Sequence, residues 1–403
     1  MLEKEQNFMP FFLGNDINSY SMARAFHEQY GVNSVVIGKA KSGPNNNSRI
    51  CELLVVKDVE TDDIFLKTLN GISSKNTGKK IILLACGDNY IDLIVRNKKN
   101  LGGSFIAPYV GEDLMEKLIN KENFYQMCEQ YNIDYPKTFI FKKDTFPNYN
   151  LPFDFPVILK PSNSIDYWRH PFLGQDKVFK IKSKEKLDET IKKIFDSGYS
   201  ESLIIQDFIP GDDSFMRVLT CYSDKNGKVK MMSLGHVLLE EHTPHGLGNH
   251  AAILNDYDEA LMQKIKTFLE QINYVGFSNF DIKYDSRDGK YKVFEINLRQ
   301  GRSNFYVTGS GHNLASYLVK DYIENEELPV DIVKERKLWL VIPQSIVFKY
   351  TKSDKLRKEI KELIKNGQIV NPLFYKEDRR VKRMLHLIKS HFSHFRKYKR
   401  YYR

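Results

Sequence analysis

The chain is poor in cysteine, holds no long apolar run and shows no internal repeat or low-complexity stretch. Each absence narrows what it can be. Its four cysteines, Cys51, Cys86, Cys128 and Cys221, are far apart and form no CxxC pair. That spacing argues against a disulfide framework and against a zinc site, and it fits a reducing compartment. Apolar runs such as IILLACG and LWLVIP are strand-length, well short of the roughly 20 residues a membrane-spanning helix needs. The opening MLEKEQNFMPFF carries acidic residues and lacks the apolar stretch of a secretory leader, so a cytoplasmic protein is expected. There is also no GxGxxG, so no dinucleotide site is implied. What remains is an ordinary globular composition, 41% hydrophobic, over 403 residues, enough for two or three domains with sizeable cores.

Charge is unevenly placed. The net charge is +10, yet the segment from Lys376 to Arg403 alone holds eleven Lys/Arg against two Asp/Glu. Within it Met384, Ile388, Phe392, Phe395, Tyr398 and Tyr402 recur at steps of three and four. Lys382, Arg383, Lys389, Arg396, Lys397, Lys399 and Arg400 lie between them. This predicts a basic amphipathic helix. Such a helix can lie on anionic lipid at the inner face of a membrane or pack on the body of the protein. Binding nucleic acid is the least favoured use, because the charge belongs to an appendage and not to a folded domain.

Upstream, Phe8–Leu13 reads as a strand running into the polar loop Gly14–Asn18. Ser19 is the expected N-cap of a helix to Gln29, Gly31 ends it, and VNSVVIG is the next strand. Strand Leu53–Val56, helix Asp62–Leu69 and strand Lys80–Cys86 repeat the βαβ rhythm of a parallel sheet. Helical pattern follows from Gly111 to Tyr131, then strands Lys137–Phe141, Pro156–Lys160, Val178–Ile181 and Leu203–Phe208, with a helix opening at Ser183. A hairpin of Ser214–Ser223 with Lys228–Glu240, a helix Tyr257–Gln271 and a helix His312–Glu326 complete the pattern.

Three stretches carry chemistry. The first is a hairpin, Phe280 to Leu298, whose expected turn is the triplet Arg287-Asp288-Gly289. That register sets Asp281 across from Glu295, with Asn297 two residues on, while Phe280, Ile282, Tyr284, Phe294 and Ile296 face the core. Opposed carboxylates destabilise a sheet unless a divalent cation lies between them or both are solvated. The second is FPVILKP, which sets Lys160 at the end of a buried strand beside Ser162-Asn163-Ser164. A phosphate or plain solvent would satisfy it there. The third is IIQDFIPGDD, an apolar strand running into Pro-Gly and two carboxylates. It offers backbone groups to an adenine edge and an acid to a ribose, or is an ordinary turn.

Taken in order, Lys121 at a helix start, FPVILKP, IIQDFIPGDD, FSNFDIKYD and VFEINLRQGR resemble the ATP-grasp superfamily from about Lys121 to Gly311. The resemblance implies an α/β chain. A Rossmann-like pre-ATP-grasp domain would span residues 1–118. A two-lobed ATP-grasp domain would span 119–330, with a small lid lobe at 119–213 and a large lobe at 214–330. An extension with the basic helix would span 331–403. It implies Lys121 and Lys160 on ATP phosphates, Gln206, Asp207, Phe208 and Ile209 along the adenine, and Asp213 on the ribose. Asp281, Glu295 and Asn297 would hold two Mg²⁺ ions, with Mn²⁺ as a substitute, and Arg299 or Arg302 would face the transferred phosphoryl group. Two departures stand out: Ser162–Gln175, with Tyr167, Trp168, Arg169 and His170, replaces a glycine-rich lid, and Asn279 stands where many relatives carry Arg.

The stretch Leu13–His27 with Tyr30-Gly31, and Leu338–Pro343, are similar to bacterial carboxylate–amine ligases of the D-aspartate ligase type. That family activates the β-carboxylate of D-aspartate and joins it to the lysine side chain of a peptidoglycan precursor. The resemblance implies an amino acid or other carboxylate as one substrate and an amine as the other. Asp16, Asn18 and Arg24 would contact the amino acid or the acceptor, or else cap and pack the first helix. His242, His245 and His250 are candidates to take the proton of the amine, or are ordinary loop histidines. An ATP-grasp enzyme with another acceptor and a nucleotide-binding protein with a relic site are the alternatives. Retention of Lys160, Asp281, Glu295, Asn297 and Arg299 together argues against a relic.

Overall fold

The computed structural model describes residues 6–244 and 246–402. The chain forms two compact units. The larger comprises Met1–Val110, Asp213–Asn279 and Asn297–Arg403, and the smaller Gly111–Asp212 and Phe280–Ile296.

The larger unit contains a five-stranded sheet in the order Cys51–Val55, Ser34–Gly38, Phe8–Leu13, Lys80–Ala85, Phe105–Ile106, parallel throughout. Its central strands are near-continuous apolar runs, as expected where both faces are covered, and Phe11, Phe12 and Ile81 to Leu84 are buried. The first helix, Ile17–Tyr30, starts earlier than the expected cap at Ser19. Asp16 is the N-cap, accepting from the Asn18 and Ser19 N–H groups, while the Ser19 hydroxyl takes the Asp16 N–H. A reciprocal capping box satisfies more orphan donors than a lone serine cap would. The second helix runs from Asp62 to Lys75, past the expected end at Leu69, because Ile72 extends the buried stripe of Phe65 and Leu69.

A second, largely antiparallel sheet in this unit orders Met216–Ser223, Val229–Glu240, His250–Asp256 and Leu338–Leu340, with Ile369–Val370 added in parallel. The expected helix His312–Glu326 is interrupted: Leu314–Val319 is α-helical and Lys320–Glu324 forms a π-turn. Asp321 explains the widening, since its buried carboxylate accepts from the Tyr222 hydroxyl and the Lys225 N–H. The basic tail is a helix, Val381–Tyr401, that packs on this unit through Arg383, Leu387, His394 and Tyr398. The predicted apolar stripe therefore splits. Tyr398 is buried, whereas Ile388, Phe392 and Phe395 face outward with Val381 and Leu385. Among the described residues no helix is long and apolar enough to cross a membrane.

The smaller unit has a four-stranded sheet, Thr138–Phe141, Leu203–Asp207, Val157–Pro161, Phe179–Ile181, antiparallel throughout. Phe141, Val157, Leu159, Tyr167, Leu187 and Ile191 are among its buried core residues. The helical stretch after Gly111 breaks at Asn120, whose side chain caps the helix Lys121–Gln130 by accepting from the Glu122 and Asn123 N–H groups. The hairpin strands are Gly276–Asp285 and Lys290–Asn297, so the turn takes four residues instead of three. Asp285 is the reason. Its buried carboxylate accepts from the Arg287 N–H and guanidinium and from Lys292, and its carbonyl accepts from the Gly289 N–H. Gly289 takes the expected left-handed conformation, φ +73°. The Tyr284 and Tyr291 rings pack 5.3 Å apart, so the register of a three-residue turn does not hold at the tip.

Candidate active site

In the smaller unit the strand Val157–Pro161 and the helix Lys121–Gln130 bring two lysines near one carboxylate, Lys121 in contact with Glu295 and Lys160 within its field. Lys160 is buried, and its Nζ donates to Tyr125 Oη at 2.8 Å. Tyr125 in turn donates to the Phe294 carbonyl at 2.6 Å. Lys121 Nζ lies 3.3 Å from Glu295 Oε2 and donates to Ser164 Oγ at 3.3 Å. Lys177 Nζ approaches Glu295 Oε1 at 3.8 Å.

The electrostatics of this cluster are unbalanced. Burial, and then the charge of Lys121, bring Lys160 down to about 7, against the smaller opposing pull of Glu295 and Asp281. Burial disfavours a charged Glu295, but Lys177, Lys121 and Lys160 together outweigh it and hold the carboxyl well below its usual range. Glu295 is thus firmly ionised while Lys160 stands near its titration point. An added anion would restore the charge of Lys160, which is the electrostatic property of a phosphate site.

The IIQDFIPGDD crossover is held from several sides. Gln206 is buried and donates to Thr138 Oγ1 at 2.8 Å. Asp207 forms a two-pronged ion pair with Arg287, at 3.2 and 2.7 Å. The Phe208 ring has Lys180 Nζ at 3.6 Å and Lys283 Nζ at 5.5 Å from its centre. Lys283 also donates to the Ile209 and Gly211 carbonyls, at 2.9 and 3.1 Å. The crossover is in this way tied down by a lysine on the hairpin.

In the larger unit Asp213 accepts from the Glu240 N–H and lies 2.9 Å from His242 Nε2. That hydrogen bond raises the pKa of His242 despite partial burial. Asn297 donates to the Asn279 carbonyl and accepts from Arg299, whose Nε is 2.9 Å from Asp88. Arg302 Nη2 is 3.8 Å from Glu241 Oε1. His250 is pushed down to about 4 by burial and then by Arg302, so it is neutral at neutral pH. His245 lies outside the described residues.

The three residues suggested for substrate contact have structural partners. Asp16 caps the first helix. Asn18 is buried, donating to the Gln300 carbonyl and accepting from Asn304. Arg24 pairs with Glu28, donates to the Asn371 and Pro372 carbonyls, and stacks on Phe305 and Tyr375. Sequence reasoning passed over Tyr125, Lys177 and Lys283. Tyr125 was accessible, since it lies four residues after Lys121 on the same helix face. Lys177 sits in an aperiodic loop and left no signal.

No family model matches the chain. It is 40% identical over 410 residues to the D-aspartate ligase of Enterococcus faecium (strain Aus0004), covering 98% of this chain and 97% of that one. Its fold matches the ADP complex of N5-carboxyaminoimidazole synthetase from Staphylococcus aureus with a TM-score of 0.59, at 13% identity over 82% of this chain and 81% of that one. It also matches an L-amino acid ligase from Bacillus licheniformis with a TM-score of 0.55, at 15% identity over 78% and 74% of the two chains. Identity at this level over nearly the whole length leaves no doubt of kinship: the chain belongs to the D-aspartate ligase family, ATP-grasp enzymes that join a carboxylate to an amine.

Proposed function

We propose that the protein uses ATP and Mg²⁺ to activate the β-carboxylate of D-aspartate and joins it to the lysine side chain of a peptidoglycan precursor. The observation that carries this reading is the Lys160–Lys121–Lys177 cluster around Glu295, read beside the near-full-length relationship to a D-aspartate ligase. A free carboxylate is a poor electrophile because its leaving group would be oxide. Transfer of the γ-phosphoryl group to a carboxylate oxygen gives an acyl phosphate and ADP. The amine then adds to the acyl carbon, loses a proton and expels phosphate. Lys121 and Lys160 hold the phosphates by position and charge, and Arg299 and Arg302 stabilise charge on the transferred group. Gln206, Asp207, Phe208 and Ile209 line the adenine, and Asp213, paired to His242, faces the ribose. His242, raised by its bond to Asp213, is better suited to accept the proton of the amine than His250, which burial holds near 4.

Asp281, Glu295 and Asn297 are the residues that would hold Mg²⁺, and the ion would neutralise charge on the phosphates. Among the described residues no three His, Cys, Asp or Glu side chains gather into an all-protein metal cage. A donor set of two carboxylates and an amide suits Mg²⁺, which commonly completes its octahedron with phosphate oxygens and water. The acyl phosphate hydrolyses readily, and Trp168 and Leu173, exposed in Ser162–Gln175, give that segment the apolar surface of a cover. Phosphate release measured over a panel of amino acids, with and without a peptidoglycan precursor, tests the reading. Release that depends on D-aspartate and on the precursor supports it, and release independent of any amino acid overturns it.

One observation favours a peripheral membrane position on the cytoplasmic side. Val381, Leu385, Ile388, Phe392 and Phe395 form an exposed stripe, and Lys382, Lys389 and Arg396 border it at seven-residue steps. The helix Val381–Tyr401 has no acidic side chain. An apolar stripe edged by one sign of charge suits an anionic bilayer, where a bare phosphate backbone would leave the stripe unused.

A further inference from the structure

We propose that the terminal helix Val381–Tyr401 walls the amino-acid pocket, and that His394 and Lys397 on it act with Arg302 to bind the carboxylates of an acidic amino acid. This rests on the carboxylate–amine ligation proposed above and names the part of the molecule that would confer the preference for a dicarboxylic substrate.

The larger unit contains a cavity of about 340 Å³, bordered by Asp16, Glu241, Arg302, His394 and Lys397. That volume lies at the lower end of small-molecule sites and suits a four-carbon amino acid with a few waters. Two of the residues that border it carry a buried polar atom with no hydrogen-bond partner among the described residues, Arg302 Nη1 and His394 Nδ1. Buried polar groups are nearly always satisfied, so two orphans on one cavity wall point to a ligand that completes them. The charges agree. Aspartate carries two carboxylates and one ammonium. Arg302 and Lys397 supply two cations for the carboxylates, Glu241 supplies an acceptor for the ammonium, and the Asp16 carboxylate is already engaged in capping the first helix.

The helix is held firmly enough to present these residues. Arg383 donates to the Pro44, Asp378 and Leu373 carbonyls at 3.0–3.1 Å, which pins the helix start beside the cavity residues Gly43 and Pro44. His386 and His391 also border the cavity, but His386 is exposed and His391 Nδ1 already meets the Val341 carbonyl at 3.3 Å, so His394 is the buried histidine left to bind. Burial, followed by the charge of Lys397, brings His394 down to about 4, so at neutral pH it is a neutral hydrogen-bonding group.

The test uses the full chain with Lys397→Ala, Lys397→Arg and His394→Gln. Steady-state rates with D-aspartate and with D-asparagine are measured at saturating ATP, and amino-acid binding is measured calorimetrically without ATP. The expected result is a rise of tenfold or more in KM for D-aspartate in Lys397→Ala, with recovery in Lys397→Arg. The KM for ATP stays put, because neither Lys397 nor His394 is among the groups assigned to the nucleotide, and that value also reports an intact fold. Discrimination against D-asparagine should narrow in Lys397→Ala and in His394→Gln. If the wild type turns over D-aspartate and neither variant changes its KM, the pocket assignment is wrong and the ligase reading stands. If the wild type ignores D-aspartate yet binds and uses another acidic amino acid through Lys397, the substrate identity is wrong and the pocket assignment stands.

Discussion

Arg383 and Asp378 form an ion pair sealed from solvent, with Nε 3.2 Å from Oδ2 and side chains 1% and 0% exposed. The same carboxylate accepts from the Tyr20 and Ser48 hydroxyls and the Arg49 N–H, at 2.9, 2.7 and 2.7 Å. The pair therefore binds the end of the chain to the N-terminal βαβ layer within one unit. Removing one partner leaves a buried charge without its counter-ion, so Arg383→Met or Asp378→Ala should each cost about 3–5 kcal/mol. Denaturant unfolding measures this, and a change below about 1 kcal/mol would refute the role assigned to the pair.

Glu295→Gln should abolish turnover and leave the fold intact. The amide keeps the shape but cannot neutralise Lys121 and Lys177, which lie 3.3 and 3.8 Å from its oxygens, and it is a weak ligand for Mg²⁺. A loss of at least about 100-fold in kcat is expected by analogy with removal of one electrostatic stabiliser. Near-normal rate would mean that this hairpin is not the metal and phosphate platform.

Lys160 makes nucleotide binding proton-linked. Its folded pKa of about 7 is below that of a free lysine, so between these values the unfolded state holds more protons and stability rises with pH. The destabilisation is fully present below about pH 7. It fades as pH climbs toward the unfolded pKa. A phosphate beside Nζ favours the charged form, so at pH 8 ATP binding should take up as much as about one proton. Calorimetry in two buffers of different ionisation enthalpy reads this uptake directly, and Lys160→Met should erase it. An uptake that persists in the variant would place the proton elsewhere.

The outward stripe on the terminal helix predicts binding to vesicles containing phosphatidylglycerol and not to purely zwitterionic ones, with loss at high salt. Phe392→Ser with Phe395→Ser should reduce co-sedimentation severalfold without altering unfolding, since both side chains are exposed. Equal binding by wild type and variant would remove the lipid role. A concentration-dependent dimer that the variant loses would assign the stripe to a second copy of the chain.

Gly276 adopts φ +85°, and a Cβ there would collide with the Pro108 carbonyl oxygen. Gly276→Ala combines that clash with a strained left-handed backbone and should destabilise by at least about 2 kcal/mol. Thermal unfolding decides it, and an unchanged midpoint would show that the backbone relaxes freely at this point.

Much of the site was written locally. A continuous apolar run between two prolines set Lys160 at a strand end. The Glu295-x-Asn297 spacing keeps both side chains on one strand, and Asn120 caps the helix that starts at Lys121. Local rules failed where a buried side chain overrode the backbone preference. Asp285 drew the hairpin turn to four residues, and Asp16 outcompeted Ser19 as a helix cap. What the sequence by itself determined was the order and type of the elements and the membership of Lys121, Lys160 and Glu295 in one motif series, because periodicity and capping act over a few residues. Only the tertiary structure decided that Lys177 joins Glu295, that Lys160 loses proton affinity, and which face of the basic helix is buried. Those outcomes depend on burial and on charges brought together from distant points in the chain, and no local pattern records either.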